Sequence, residues 1–133
     1  MRNDPRLENA VRAVEAQFYA AFRRLHNDPA ALEEFLAIWS HAADVTTMNA
    51  RGGSERGWEA VKARWEWWVS QGVPMEASRI EHLALLVTEG LACVVVLEHL
   101  ARRSQRVTHI YRLEAGGWKL VHRHADPLVA RHG

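Results

Sequence analysis

Two stretches decide the fold: Arg106-Val107-Thr108-His109-Ile110-Tyr111-Arg112-Leu113-Glu114 and, after Ala115-Gly116-Gly117, Trp118-Lys119-Leu120-Val121-His122-Arg123-His124-Ala125-Asp126. Both alternate apolar or aromatic residues with polar ones, and the glycine pair between them suits a hairpin turn. Side chains at i and i+2 share a face of a strand. Val107, His109, Tyr111 and Leu113 therefore form one row, and Trp118, Leu120, His122 and His124 form the matching row of the next strand. These rows are expected to face inward, with Thr108, Ile110, Arg112, Lys119, Val121 and Arg123 on the outer face.

Working upstream, residues 76–88 and 91–102 read as two more strands, joined through Glu89-Gly90. Consecutive strands with short joints make an antiparallel meander. A two-residue turn at Arg103-Ser104 would set Glu98 opposite His109, and a carboxylate facing an imidazole can orient the ring or hold a proton. A slip of one residue would send Glu98 to the other face.

Before the meander the period is helical. Leu7, Val11, Val14, Phe18, Phe22 and Leu25 fall on one stripe, and Asp4-Pro5 and Asp28-Pro29 each supply an N-cap with a proline at the first helical position. The second helix runs to about Trp39. A short strand at Val45-Thr46-Thr47-Met48 and a reversal at Ala50-Arg51-Gly52-Gly53-Ser54 precede a third helix over 58–70. Trp58, Val61, Trp65 and Trp68 lie on its stripe and Trp67 lies off it, a pattern that suits core packing or a ligand cage. Helices grouped before strands give an α+β class: three helices on a strongly bent, mostly antiparallel sheet, in a single domain over 1–133.

The 133 residues are 48% hydrophobic and 25% charged, a globular composition. Net charge is +1, with basic residues spread along the chain, so nucleic acid is not an expected partner. Met1-Arg2-Asn3-Asp4-Pro5 lacks an apolar leader core, and no apolar run approaches the ~20 residues a bilayer requires, so a cytoplasmic protein without membrane contact is expected. The one cysteine, Cys93, sits in an apolar run and reads as a small core hydrophobe. Phosphate-loop, dinucleotide and nucleophile-elbow patterns do not occur, because both glycine pairs sit in turns.

The order of elements resembles the SnoaL-like, ketosteroid isomerase-like branch of the nuclear transport factor two-like superfamily, over nearly the whole chain. The resemblance rests on Phe18-Tyr19-Ala20-Ala21-Phe22, Asp44-Val45-Thr46, Gly57-Trp58-Glu59-Ala60-Val61 and the two final stretches quoted above. It implies a cone-shaped half barrel closed by helices, usually dimeric through the outer sheet face. Isomerases, polyketide cyclases, dehydratases and non-catalytic association modules share this fold, so fold does not give function. Asn49 stands where the isomerases carry their aspartate base, and Asn cannot abstract a proton. Tyr19 lies near their oxyanion-hole tyrosine, and Asp126 near a cyclase aspartate.

The expected function is a pocket for a small, largely apolar, oxygen-bearing molecule, with acid/base catalysis of isomerase, cyclase or dehydratase type. In that reading His109 carries the proton, Glu98 partners it, and Tyr111 and His122 donate hydrogen bonds. Tyr19, Trp39, Asn49, Trp58, Trp65 and His124 would contact the ligand. The alternative is a non-catalytic ligand-binding or dimerisation module in which these side chains form a satisfied structural network. A His-x-His metal site is a third arrangement, but zinc wants three or four ligands and no thiolate or aspartate joins the inner rows. No metal or cofactor is expected, and the outer apolar residues Val95, Leu97, Ile110 and Val121 point to a homodimer.

Overall fold

The computed structural model describes residues 4–74 and 77–131; the expected strand start at Glu76 lies outside the described residues. Three helices, α1 (Pro5–Phe22), α2 (Pro29–Ile38) and α3 (Trp58–Ser70), pack on a sheet of six strands. The strands are β1 (Thr46–Asn49), β2 (Gly52–Arg56), β3 (Ala77–Val87), β4 (Leu91–Leu100), β5 (Ser104–Glu114) and β6 (Gly117–Pro127). The class is α+β, and the open, bent sheet forms the expected cone.

Local chemistry starts the first two helices as the sequence suggests. Asp4 accepts from the Arg6 amide and Asp28 from the Ala30 amide, each ahead of its proline. Phe18 and Phe22 of α1 then meet Phe35 of α2, Trp39 just after it and Trp65 of α3 in an aromatic cluster inside the cone, with Val11 of α1 buried in the same core. No helix among the described residues is long and apolar enough to cross a membrane.

Strand order is β2-β1-β6-β5-β4-β3, and β1 runs parallel to β6 while the other neighbours are antiparallel. The chain reverses at Ala50-Arg51 as expected, and the residues after the turn form an additional strand, β2: its Gly-Gly-Ser-Glu-Arg sequence has no apolar face to announce it, and it pairs only with β1 at the sheet edge. The β4 to β5 turn falls at residues 101–102 rather than at Arg103-Ser104. Glu98 is therefore opposite Gln105, and His109 is opposite Val94. This shift is four residues, an even number, so Glu98 stays on the inner face with His109.

The final strand departs from simple alternation. Ile110 pairs with His122 but Tyr111 pairs with Leu120, leaving Val121 as an extra residue in a bulge. Trp118 and Leu120 point into the core as expected. Beyond the bulge the parity reverses, so Arg123 and Ala125 are buried while His122 is partly exposed and His124 exposed. The expected inward placement of His122 and His124, and the outward placement of Arg123, are thereby reversed. Cys93 is partly exposed on the opposite face of β4 from buried Val94, so it is not a core residue.

Gly57 leads into α3 with φ 88° and ψ 150°, a region essentially reserved for glycine, while its amide donates to the Val45 carbonyl at 2.7 Å. Gly57→Ala is expected to cost about 1–3 kcal/mol in chemical denaturation. An unchanged unfolding midpoint would show that this conformation is not required.

Candidate functional site

The inner face brings together two carboxylates, a guanidinium, an imidazole and two phenols, drawn from α1, β4, β5 and β6. Arg123 holds Glu98 with two hydrogen bonds, Nη1 to Oε2 at 2.7 Å and Nη2 to Oε1 at 3.0 Å. Gln105 donates its amide to Glu98 Oε1 at 3.0 Å, and the Tyr19 hydroxyl donates to Oε2 at 2.7 Å. Glu98 is fully buried and Arg123 is 2% exposed.

A second carboxylate lies beyond. Glu15 Oε1 meets His109 Nδ1 at 2.7 Å and accepts from the Tyr111 hydroxyl. His109 Nε2 is 2.9 Å from Arg123 Nη1, which can only donate. The ring must then accept at Nε2 and donate from Nδ1 to Glu15, a neutral tautomer assigned by its partners. Arg123 thus stands between Glu98 and His109, and the expected direct carboxylate–imidazole pair is replaced by Glu15 with His109.

Burial opposes charge at all of these groups, and the partners decide the outcome. The Glu98 carboxyl, despite its burial, is held down to about 2 by the Arg123 guanidinium and by hydrogen bonds from Arg123 and Tyr19. Glu15 is likewise lowered: burial works against it, and His109, Tyr111 and Arg123 outweigh burial. Tyr19 and Tyr111 are pushed well up, first by burial and then by the neighbouring carboxylates, so both remain hydroxyl donors. Arg123 stays charged against its own burial because Glu98 faces it.

A cavity of about 390 Å³ opens beside this network. Arg123 and Gln105 form its floor toward Glu98, and Phe22, Trp65, Trp68 and Leu100 supply apolar walls, with Asn49 at the end of β1. A second hollow of about 600 Å³ lies between α1 and β3, next to Glu15 and Tyr19.

A profile of the SnoaL-like domain matches residues 11–130. The chain belongs to the SnoaL-like family. Comparison with curated proteins gives no match. Among solved structures, this SnoaL-like chain is similar to a Thiobacillus denitrificans protein named for the calcium/calmodulin-dependent protein kinase type II association domain. Identity is 25%, TM-score 0.72, and coverage 89% of this chain and 94% of that one. A Streptomyces avermitilis protein named as an NTF2-like dehydratase matches at 20% identity and TM-score 0.71, covering 92% and 96%. A Parabacteroides distasonis protein named for ketosteroid isomerase matches at 16% and 0.66, covering 95% and 94%. The last two likenesses concern the fold alone.

Of the residues expected to carry chemistry in this SnoaL-like chain, Glu98, His109 and Tyr111 share the buried network and His122 does not. His122 lies past the bulge, its Nδ1 2.7 Å from the Thr46 hydroxyl, and burial followed by the nearby His124 lowers its pKa. Among the expected ligand contacts, Asn49 and Trp65 line the cavity. Tyr19 sits in the network, Trp39 is 1% exposed in the core, Trp58 stacks on His41 at 3.8 Å, and His124 faces out. No group of three or more His, Cys, Asp or Glu among the described residues is arranged around a common metal position.

Glu15, Gln105 and Arg123 were not singled out from the sequence. Glu15 carried a signal, since it follows Val11 by four residues and precedes Phe18 by three on the buried stripe of α1. A charge on such a stripe calls for a buried partner. Arg123 carried none, because only the Val121 bulge turns it inward.

The sign of the acid response follows from Glu98. Its folded pKa is depressed from 4.5 to about 2, so its stabilisation is complete above the unfolded value and is lost as pH falls through the folded one. Stability is expected to fall by on the order of 3 kcal/mol between about pH 5 and pH 2 from this group. Glu98→Gln, which leaves Arg123 buried opposite a neutral amide, should cost about 3–5 kcal/mol at neutral pH and flatten that acid limb. Denaturant midpoints measured across pH check both; an acid limb equally steep in the variant would remove Glu98 as its source.

Proposed function

We propose that the protein binds a small molecule in the cavity lined by Arg123, Gln105 and Trp65, and that the buried network serves to hold the floor of that cavity in place. The observation that carries this reading is the division of the inner face. A cavity of about 390 Å³ falls in the range of ligand sites, roughly 300–1,000 Å³. Its floor residues, Arg123 and Gln105, are both anchored on Glu98.

Catalysis by His109 draws less support. A general base needs a free lone pair about 2.6–3.2 Å from the proton it takes. Here Nδ1 is engaged by Glu15 and Nε2 by Arg123, and the ring has no exposure. Tyr111 and Glu98 are equally enclosed. The acid/base set then acts as a positioning framework, and the residues that meet a ligand are those of the cavity wall.

Ala50 lines the cavity from the β1 to β2 turn, and a large side chain there would fill it. The wild-type chain is expected to bind phenylnaphthylamine, a neutral apolar probe that fluoresces when desolvated. Ala50→Trp should lose at least about tenfold in affinity at an unchanged melting temperature. Equal binding by the filled variant would place the probe elsewhere and remove the cavity as the site.

The outer sheet face supports self-association. Val95, Leu97, Ile110 and Val121 are partly exposed on neighbouring strands of that face. A two-fold partner would cover the patch isologously. Sedimentation equilibrium at micromolar concentration is expected to give twice the chain mass, and Ile110→Lys to give monomer; a wild-type monomer at that concentration contradicts the dimer.

A further inference from the structure

The polar lining of the cavity is one-sided. Arg51, Arg102 and Arg103 stand along it and Arg123 lies at its floor, while among the described residues no carboxylate lines it. Arg51 and Arg103 are placed unfavourably for one another: burial and then the Arg51 charge both weigh against the Arg103 guanidinium. The Arg51 guanidinium also lies 5.8 Å from the Trp68 ring centroid, which keeps it over the cavity wall.

Four lining residues also have a nitrogen that is sealed from solvent and has no hydrogen-bond partner among the described residues: Asn49 Nδ2, Trp65 Nε1, Trp68 Nε1 and Arg123 Nε. Trp65 and Arg123 are each only 2% exposed. A buried donor left unpaired keeps its full desolvation penalty, and native interiors leave few of them. Arg51, Arg102 and Arg103 have no ion-pair partner among the described residues, so it is their charge that a ligand in the cavity would meet. The remaining wall is apolar, from Phe22, Val73, Pro74 and Leu100.

We propose that the ligand of this cavity is an organic anion, a carboxylate or sulfonate on a compact aromatic or alicyclic body. The acid group is held by Arg51 and Arg103, and the body lies against Trp65, Trp68 and Phe22. This rests on the binding reading of the same cavity and names the chemistry that reading leaves open. The guanidinium fork suits a planar or tetrahedral oxyanion, and the low-dielectric wall strengthens each charge-assisted bond.

A matched pair of probes separates the two levels. Phenylnaphthylamine is neutral, and anilinonaphthalene sulfonate carries the same two aromatic groups with one sulfonate. With the full wild-type chain, the sulfonate is expected to bind at least about tenfold tighter, as a charge-assisted hydrogen bond in a partly buried site would give. The double substitution Arg51→Ala and Arg103→Ala, at positions exposed or only partly buried, should bring the two probes to equal affinity while leaving the neutral one unchanged. Equal binding of both probes by the wild type, or a sulfonate preference that survives the double substitution, overturns the anion assignment while the cavity remains a binding site. Failure of both probes to bind the wild type, or binding that Ala50→Trp does not diminish, overturns the cavity reading and the anion assignment together.

Discussion

The Glu98–Arg123 pair is the constraint from which the interior of this protein follows. Two opposite charges have been taken out of water almost completely, and such a pair is tolerated only when its geometry is good and its remaining lone pairs and protons are satisfied. Satisfying it fixes several elements at once. Tyr19 must bring α1 down onto β4, Gln105 must stand opposite Glu98 on β5, and β6 must turn Arg123 inward. The guanidinium also lies within 6.0 Å of the ring centroids of Phe18, Phe22 and Trp65, so it links helices α1 and α3 to the sheet. Helix placement, strand register and the bulge on the last strand all converge on one ion pair.

That same convergence explains where sequence reasoning succeeded and where it stopped. The caps at Asp4 and Asp28, the stripe of α1 and the alternation of β5 as far as Tyr111 are local properties, each visible within a few residues, whereas Leu113, expected on the same inner row, is exposed. The family likeness read from the β5 and β6 wording stands, since the SnoaL-like profile covers residues 11–130. A bulge is different. Nothing around Val121 marks it, because the residue is β-branched and apolar like any strand residue. One inserted position reverses the faces of His122, Arg123 and His124. The β4 to β5 turn moved by an even number of residues in register, so Glu98 kept its face although its cross-strand partner changed. Strand β2 was hidden for the opposite reason: its pairing comes from the edge it meets, with little side-chain preference of its own.

Arg123 has two roles because its guanidinium has two sides. Its terminal nitrogens are committed to Glu98 and to His109, whereas Nε lacks an acceptor and the side chain lines the cavity. The network behind it is saturated, each strongly polar group meeting one of opposite character, with only the second oxygen of Glu15 left over. The cavity in front of it is lined by Arg51, Arg102 and Arg103 and by no carboxylate among the described residues. On the proposed binding reading, rigid support behind a cationic lining preorganises the site, because the floor loses little freedom when a ligand arrives.

This division bears on how one fold can serve catalytic and non-catalytic members alike. A cone of this type always encloses polar side chains, so the presence of His, Glu and Tyr inside it does not distinguish an acid/base site from a scaffold. What distinguishes them is which lone pairs and protons reach the cavity. At the end of β1 the side chain lining the cavity is Asn49, an amide that cannot take up a proton, and its Nδ2 is a donor without an acceptor. At the floor it is a guanidinium that stays charged. Both line the cavity, while Glu98, His109 and Tyr111 sit one layer deeper with their polar atoms engaged, and Glu15, whose second oxygen is unpaired, lines the separate hollow between α1 and β3. On the proposed binding reading, the chemistry that meets the cavity is that of holding an anion, and the Glu98–Arg123–His109 network keeps the holder in place.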